Sequence, residues 1–364
     1  MDIRAIDHLE LYVEDAEETA AHLRDAYGFT VHGRGGPDPG LGFCRTILLR
    51  QREIALLVTS ASVRPDGGHP AGAYVERHGD GVAVIGLAVD DADAAFAEAV
   101  ERGAVPTVPP MILGEPGSRV TFASVLGFGD VEHRFTSREG AGAPFAPGLI
   151  EEVRPAGPAR AALFESVDHI AVCLPAGELD AAVRHYQEVF GFAQTFEERI
   201  VVGHQAMDSK VVQSGSEQVT LTLIEPDITR ELGQIDAFIS AHGGAGVQHV
   251  AFLTDDITGA VRTVSDRGAR FLSTPATYYD TLTERVGDLP VPVAALRDLN
   301  ILADRDGSGV MLQIFSESRH PRRTLFYELI ERRGARTFGS NNIKALYEAV
   351  ERQHALSDST APSA

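Results

Sequence analysis

Tryptophan is absent from this chain of 364 residues, cysteine occurs twice and methionine four times. Two cysteines, Cys44 and Cys173, both inside strand-like runs, exclude a disulfide framework, and no Cys-x-x-Cys occurs. Positive charge is scarce: 32 Lys and Arg stand against 52 Asp and Glu, a formal net charge of −20. That balance excludes nucleic acid and anionic membrane surfaces as partners. No run of about 18 apolar residues occurs, so no membrane-spanning helix is expected. The first residues, MDIRAIDHLELYVEDAEE, carry acids where a secretory leader has a basic region and an apolar run, so cytoplasm is the expected location. A nucleophile elbow and a glycine loop for phosphates are also missing.

What is present is an internal repeat. Ile6-Asp-His8-Leu-Glu-Leu-Tyr-Val13, an acidic, alanine-rich helical stretch and Tyr27-Gly-Phe29 return as Val167-Asp-His169-Ile-Ala-Val-Cys-Leu174, a second such stretch and Phe190-Gly-Phe192. Gly79 to Asp91 returns as Gly244 to Asp256, each followed by a helix that ends at Arg-Gly (Arg102-Gly103, Arg267-Gly268). The expected organisation is α+β: an N-terminal domain over residues 1–150 and a C-terminal one over 160–356, joined by the Gly- and Pro-rich segment Gly140 to Pro158, with a disordered tail over 357–364. Length and composition suit two such cores. The acid runs Glu14 to Glu18 and Asp90 to Asp93 read as helix starts, where carboxylates favour the N-terminal backbone amides.

Three strand-like runs carry the chemistry. In Thr324 to Arg332, Phe326, Glu328 and Ile330 alternate with Leu325, Tyr327 and Leu329, so Glu328 is embedded between apolar neighbours, a place that calls for a cation, a metal or an exposed edge. His169 and His249 are the polar members of apolar alternations in the earlier runs Val167 to Leu174 and Gly246 to Phe252. Two imidazoles and one carboxylate on separate strands form a facial set that suits Fe(II) and leaves positions open for substrate and oxygen. Where the second copy has His249 the first has Val84, so His8 reads as structural and the first half as metal-free, available as a packing or homodimer surface.

VDHIAV, GVQHVAF, LQIF and FYELIER together resemble the non-haem iron enzymes of the 4-hydroxyphenylpyruvate dioxygenase family, in the vicinal oxygen chelate superfamily, over nearly the whole chain from Ile6 to Val350. The resemblance implies two tandem glyoxalase-like domains of paired βαβββ modules. It implies that His169, His249 and Glu328 bind Fe(II), that 4-hydroxyphenylpyruvate chelates the iron through its keto acid, and that O2 is the second substrate. A C-terminal helix from Ile343 to about Ala355 would close the cup. Two outcomes are open in such enzymes, homogentisate by ring oxidation or 4-hydroxymandelate by benzylic hydroxylation.

Departures from the dioxygenase pattern point to the second. Thr222-Leu-Ile224-Glu-Pro226 has an aliphatic side chain where the dioxygenases carry an amide, and Phe338-Gly-Ser-Asn-Asn-Ile343 puts Ile where they have a second aromatic, with Phe315 retained. Val201 to Ser214, Val219 to Pro226 and Phe338 to Glu351 resemble the hydroxymandelate-forming branch, whose product feeds 4-hydroxyphenylglycine for peptide antibiotics. Ser209 and Thr222, on neighbouring strands, are candidates to hydrogen-bond the phenol. Gln313 shares a face with Met311 and Phe315 and can orient substrate or a ligand. Gln248 and Gln234 enter the pocket on the resemblance alone; on a flat strand Gln248 points away from His249, and Gln234 also suits a helix cap. Arg332 and Arg333 are expected at the surface. A non-catalytic small-molecule binder would lack a ligand, and an extradiol catechol dioxygenase would need an acid-base histidine, for which only His204 and His242 offer themselves.

Overall fold

The computed structural model describes residues 1–36, 44–61, 70–140, 142–154 and 161–339, together with Asn342 and Lys344. Ile343, the expected closing helix apart from Lys344, and the tail lie outside the described residues. Two mixed sheets organise the chain. The first contains β1 (Ile3–Tyr12), β2 (Thr30–Gly35), β3 (Cys44–Gln51), β4 (Ile54–Ala61), β5 (Gly81–Val89), β6 (Pro106–Leu113), β7 (Val120–Phe128), β8 (Val131–Arg138) and β9 (Glu151–Glu152), ordered β6-β7-β8-β5-β1-β4-β3-β2-β9. The second contains β10 (Val167–Cys173), β11 (Ala193–Val202), β12 (Gln205–Gln213), β13 (Thr220–Pro226), β14 (Gly246–Leu253), β15 (Leu302–Arg305), β16 (Val310–Phe315) and β17 (Phe326–Arg333), ordered β11-β12-β13-β10-β14-β17-β16-β15. Taken from its other end, the second order repeats that of the first from β6 to β2, with β10, β14 and β17 in the places of β1, β5 and β8 and no counterpart of the two-residue β9. The expected paired βαβββ modules are therefore present in both halves.

Local chemistry explains the helices that join these strands. Asp15 accepts from the amides of Glu17 and Glu18 and so caps Ala16–Asp25, and Asp91 caps Ala92–Glu101 in the same way. Both acid runs are thus helix starts. In the second half Asp256 caps Ile257–Asp266. Gly103 and Gly268, just past the ends of Ala92–Glu101 and Ile257–Asp266, hold φ of 101° and 94°, a conformation that costs a side-chain-bearing residue strain.

Alternation along the central strands separates two environments. Phe252 and Tyr327 stack on each other at 5.3 Å and face the first half, where Phe29 lies 5.7 Å from Phe252 and Tyr27 lies 5.3 Å from Tyr327. One core therefore runs through both sheets. Polar contacts cross the same junction: His133 Nε2 meets the Tyr186 hydroxyl at 2.7 Å, and His78 stacks on His242 at 4.4 Å. The opposite face of β10, β14 and β17 is left for the site.

Candidate metal centre and substrate face

Strand register brings the three ligands together. Ala251 on β14 is paired with His169 on β10 and with Glu328 on β17, while His249 lies two residues before Ala251. All four therefore share one face, and the small Ala251 leaves space between the imidazole and the carboxylate. Glu328 Oε2 lies 3.3 Å from Nε2 of His169 and 3.3 Å from Nε2 of His249. One ligand atom from each residue falls within 4.8 Å of the others. The residues are enclosed, at 4% exposed for His169, 9% for His249 and 2% for Glu328.

Burial sets the electrostatics. It acts to raise the Glu328 carboxyl, but the two imidazoles outweigh it and hold that group down at about 2. Burial likewise acts against a charged His169, yet Glu328 and Asp168 push it up to about 9. At His249 burial prevails over Glu328 and the imidazole stays below its ordinary value. The site is an anion facing two nitrogen donors, a set that a divalent cation satisfies better than a proton does.

Each histidine is held from behind. His169 Nδ1 is 2.7 Å from Asp168 Oδ1, and His249 Nδ1 is 3.3 Å from Gln248 Oε1. Gln248 can reach its neighbour because β14 is not flat: Ala171 pairs with His249 but Val172 pairs with Val247, so Gln248 is the extra residue of a bulge. The expectation for a regular strand is corrected at this point.

The substrate residues expected on the strands lie on the ligand face. Ser209 pairs with Ile224, Val211 with Thr222, and Thr222 in turn with Ala171 beside His249. Phe315 pairs with Glu328 and Gln313 with Ile330. Thr222 Oγ1 and Gln313 Oε1 are buried without a hydrogen-bond partner among the described residues. Ile224 packs with Cys173, Met207 and Phe238, so the helix Gln234–His242 covers that end of the face. Gln234 is exposed in the first turn of this helix, where Asp236, not Gln234, accepts from the Gly233 amide.

Phe338 reaches the centre from beyond β17, edge-on to His169 at 5.2 Å, and Phe326 stacks on His249 at 5.0 Å. Arg332, expected at the surface, is instead partly buried and forks onto Asp168 at 2.7 and 2.8 Å. Its partner was detectable in the sequence, since an aspartate precedes the histidine in both repeats. His204 is exposed in the turn between β11 and β12, and His242 is buried against His78 and Phe238, so neither serves the extradiol reading.

A degenerate counterpart occupies the first half. His8 pairs with Gly86, and Gly86 with Arg134, so Arg134 stands where the second half has Glu328, and Val84 where it has His249. The Arg134 guanidinium lies 2.8 Å from Glu10 and 3.3 Å from His8 Nε2. A built-in cation thus stands at the place of the third ligand in the first half, where Arg134 lines a cavity together with Glu10, Tyr12 and Phe122.

Comparison with known proteins places these features. The model of the Glyoxalase/Bleomycin resistance protein/Dioxygenase superfamily matches residues 5–135 and 166–314. A 4-hydroxyphenylpyruvate dioxygenase from Danio rerio is 32% identical over 95% of this chain and 89% of its own, and one from Yarrowia lipolytica is 29% identical over 97% and 92%. The solved structure of a triple mutant of 4-hydroxymandelate synthase from Streptomyces coelicolor superposes with a TM-score of 0.86, at 44% identity over 97% of this chain and all of that one.

Proposed function

The chain belongs to the glyoxalase/bleomycin resistance protein/dioxygenase superfamily, and within it to the 4-hydroxyphenylpyruvate dioxygenase family; from that premise we propose that it converts 4-hydroxyphenylpyruvate and O2 to 4-hydroxymandelate and CO2 with Fe(II) held by His169, His249 and Glu328. The observation that carries this reading is the buried carboxylate of Glu328 placed 3.3 Å from both imidazoles. The likeness to a hydroxymandelate synthase and the aliphatic Ile224 support the product.

Bound Fe(II) supplies a Lewis acid for the keto acid and the redox partner for O2. The chain's own residues supply the rest. Asp168 accepts from His169 Nδ1, which leaves Nε2 as the donor to the metal, and Gln248 does the same for His249. Glu328 balances one of the two positive charges. Thr222 Oγ1 and Gln313 Oε1 are buried with no hydrogen-bond partner among the described residues; the hydroxyl can donate to a substrate oxygen, and the amide oxygen can accept from the substrate's phenol hydroxyl. Phe315, Phe326 and Phe338 line the histidines and exclude water. Ile224 gives the ring no hydrogen bond, so packing sets its pose, and a shift of the reacting carbon decides which atom is oxidised.

A cytoplasmic enzyme supplying 4-hydroxyphenylglycine for peptide antibiotics, working as a homodimer through its metal-free half, completes the proposal. No helix among the described residues is long and apolar enough to cross a membrane. The dioxygenase relatives favour a second reading, homogentisate formation. Product chromatography against both standards, after anaerobic Fe(II) loading and admission of O2, separates the two: a dominant 4-hydroxymandelate peak supports the proposal, and a dominant homogentisate peak replaces it with the second reading.

A further inference from the structure

We infer that Arg332 is a positioning residue that couples the orientation of His169 to the seating of Phe338, so that metal affinity and the fate of the substrate depend on one guanidinium. The inference rests on His169 being a metal ligand.

All three nitrogens of this guanidinium are engaged, and one face meets a ring. Nε and Nη2 donate to the two oxygens of Asp168 at 2.7 and 2.8 Å, and Asp168 Oδ1 holds His169 Nδ1 at 2.7 Å. Nη1 donates to the carbonyls of Thr337 at 2.7 Å and Ala335 at 3.2 Å. The plane lies 5.1 Å from the centre of the Phe338 ring, which stands edge-on to His169 at 5.2 Å. One side chain therefore fixes the carboxylate behind the imidazole and the backbone and ring in front of it. A forked donor that also stacks is something Arg does and Lys cannot.

The first half contains the same device without a metal site. Arg138 is paired with Asp7, Asp7 holds His8 Nδ1 at 2.6 Å, Arg138 lies 5.4 Å from the Phe145 ring, and that ring stands edge-on to His8 at 5.2 Å. The clasp is thus part of the repeated fold, and the protein carries its own control. If the clasp only held strand to segment, loosening either copy would have the same consequences. If Arg332 positions a ligand and a pocket ring, only the second copy reaches the chemistry.

The experiment compares Arg332→Lys with Arg138→Lys in the full chain. Three quantities are read: the melting temperature, Co(II) affinity from its visible absorption in titration, and 4-hydroxymandelate formed per O2 consumed. Both variants are expected to melt earlier. Arg332→Lys alone is expected to bind Co(II) about 10–100-fold more weakly, the range typical of lost support behind a ligand, and to waste O2 without product. Asp168→Asn, which keeps the shape and removes the charge, repeats the affinity measurement should Arg332→Lys fail to fold. Equal melting shifts with unchanged affinity and coupling in both copies would overturn the inference. A wild-type chain that takes up no Co(II) would overturn the metal reading beneath it as well.

Discussion

His8 and His169 occupy the same place in two copies of one sheet, each with Nδ1 against the aspartate that precedes it, at 2.6 and 2.7 Å. What differs is the residue across the strand between them: Arg134 faces His8 and Glu328 faces His169. That exchange of charge separates a salt-bridged cluster from a candidate metal centre, and it makes the following outcomes measurable.

Glu328→Ala removes the anionic donor. Iron retained after gel filtration should fall from about one per chain towards zero, and O2 uptake with 4-hydroxyphenylpyruvate should stop. Uptake that persists would remove Glu328 from the ligand set.

Ile224→Asn restores the amide that the dioxygenases carry at this place. Some ring-oxidised product should appear beside 4-hydroxymandelate in the chromatogram. An unchanged product ratio would show that this end of the cup does not set the pose.

Arg134→Met leaves Glu10 buried with its charge uncompensated, apart from the Thr59 hydroxyl that donates to it at 2.8 Å. The expected loss is about 3–5 kcal/mol in urea unfolding. Adding Glu10→Gln should return much of it, since the pair then leaves no bare charge.

Gly86→Ala places a methyl group in the His8 ring, whereas Ala251 is accommodated at the equivalent place beside His169. Overpacking of this kind costs about 1–3 kcal/mol. The melting temperature should fall while metal content stays unchanged.

Acid should unfold the protein through its buried imidazoles. Burial, with a smaller contribution from His185, lowers His133 from 6.5 to about 3. The unfolded chain then takes the proton first, so stability is full above pH 6.5 and is lost as pH falls towards 3. One such group gives a slope of up to about 1.4 kcal/mol per pH unit. His22 and His242, both lowered to about 4 chiefly by burial, add to it. In urea titrations with chelator present, His133→Gln should flatten the decline between about pH 6 and 4.

The repeat and the ligand strands were readable because both rest on period-two alternation, which survives in sequence whatever the tertiary context. Glu328 stood out as a charge among apolar residues, and His249 as a histidine where the other copy has Val84. Gln248 was misplaced on a flat strand because a one-residue bulge leaves no mark on composition. The charged neighbours Glu331 and Arg333 make Arg332 read as a surface residue, and its burial depends on a carboxylate 164 positions away. Distant pairing of this kind is fixed by how β10 and β17 meet through β14, which local sequence does not encode.

Arg134 has one more consequence, for iron supply. The first cup has its positive charge covalently attached, so its sheet is complete as soon as the chain has folded. On the proposed reading, scarcity of iron would starve only the second cup, while the neighbouring copy and the core shared with it keep β14 and β17 in place. On that reading the chain waits in a shape that a single ion would complete, and duplication of the fold would not double its appetite for metal.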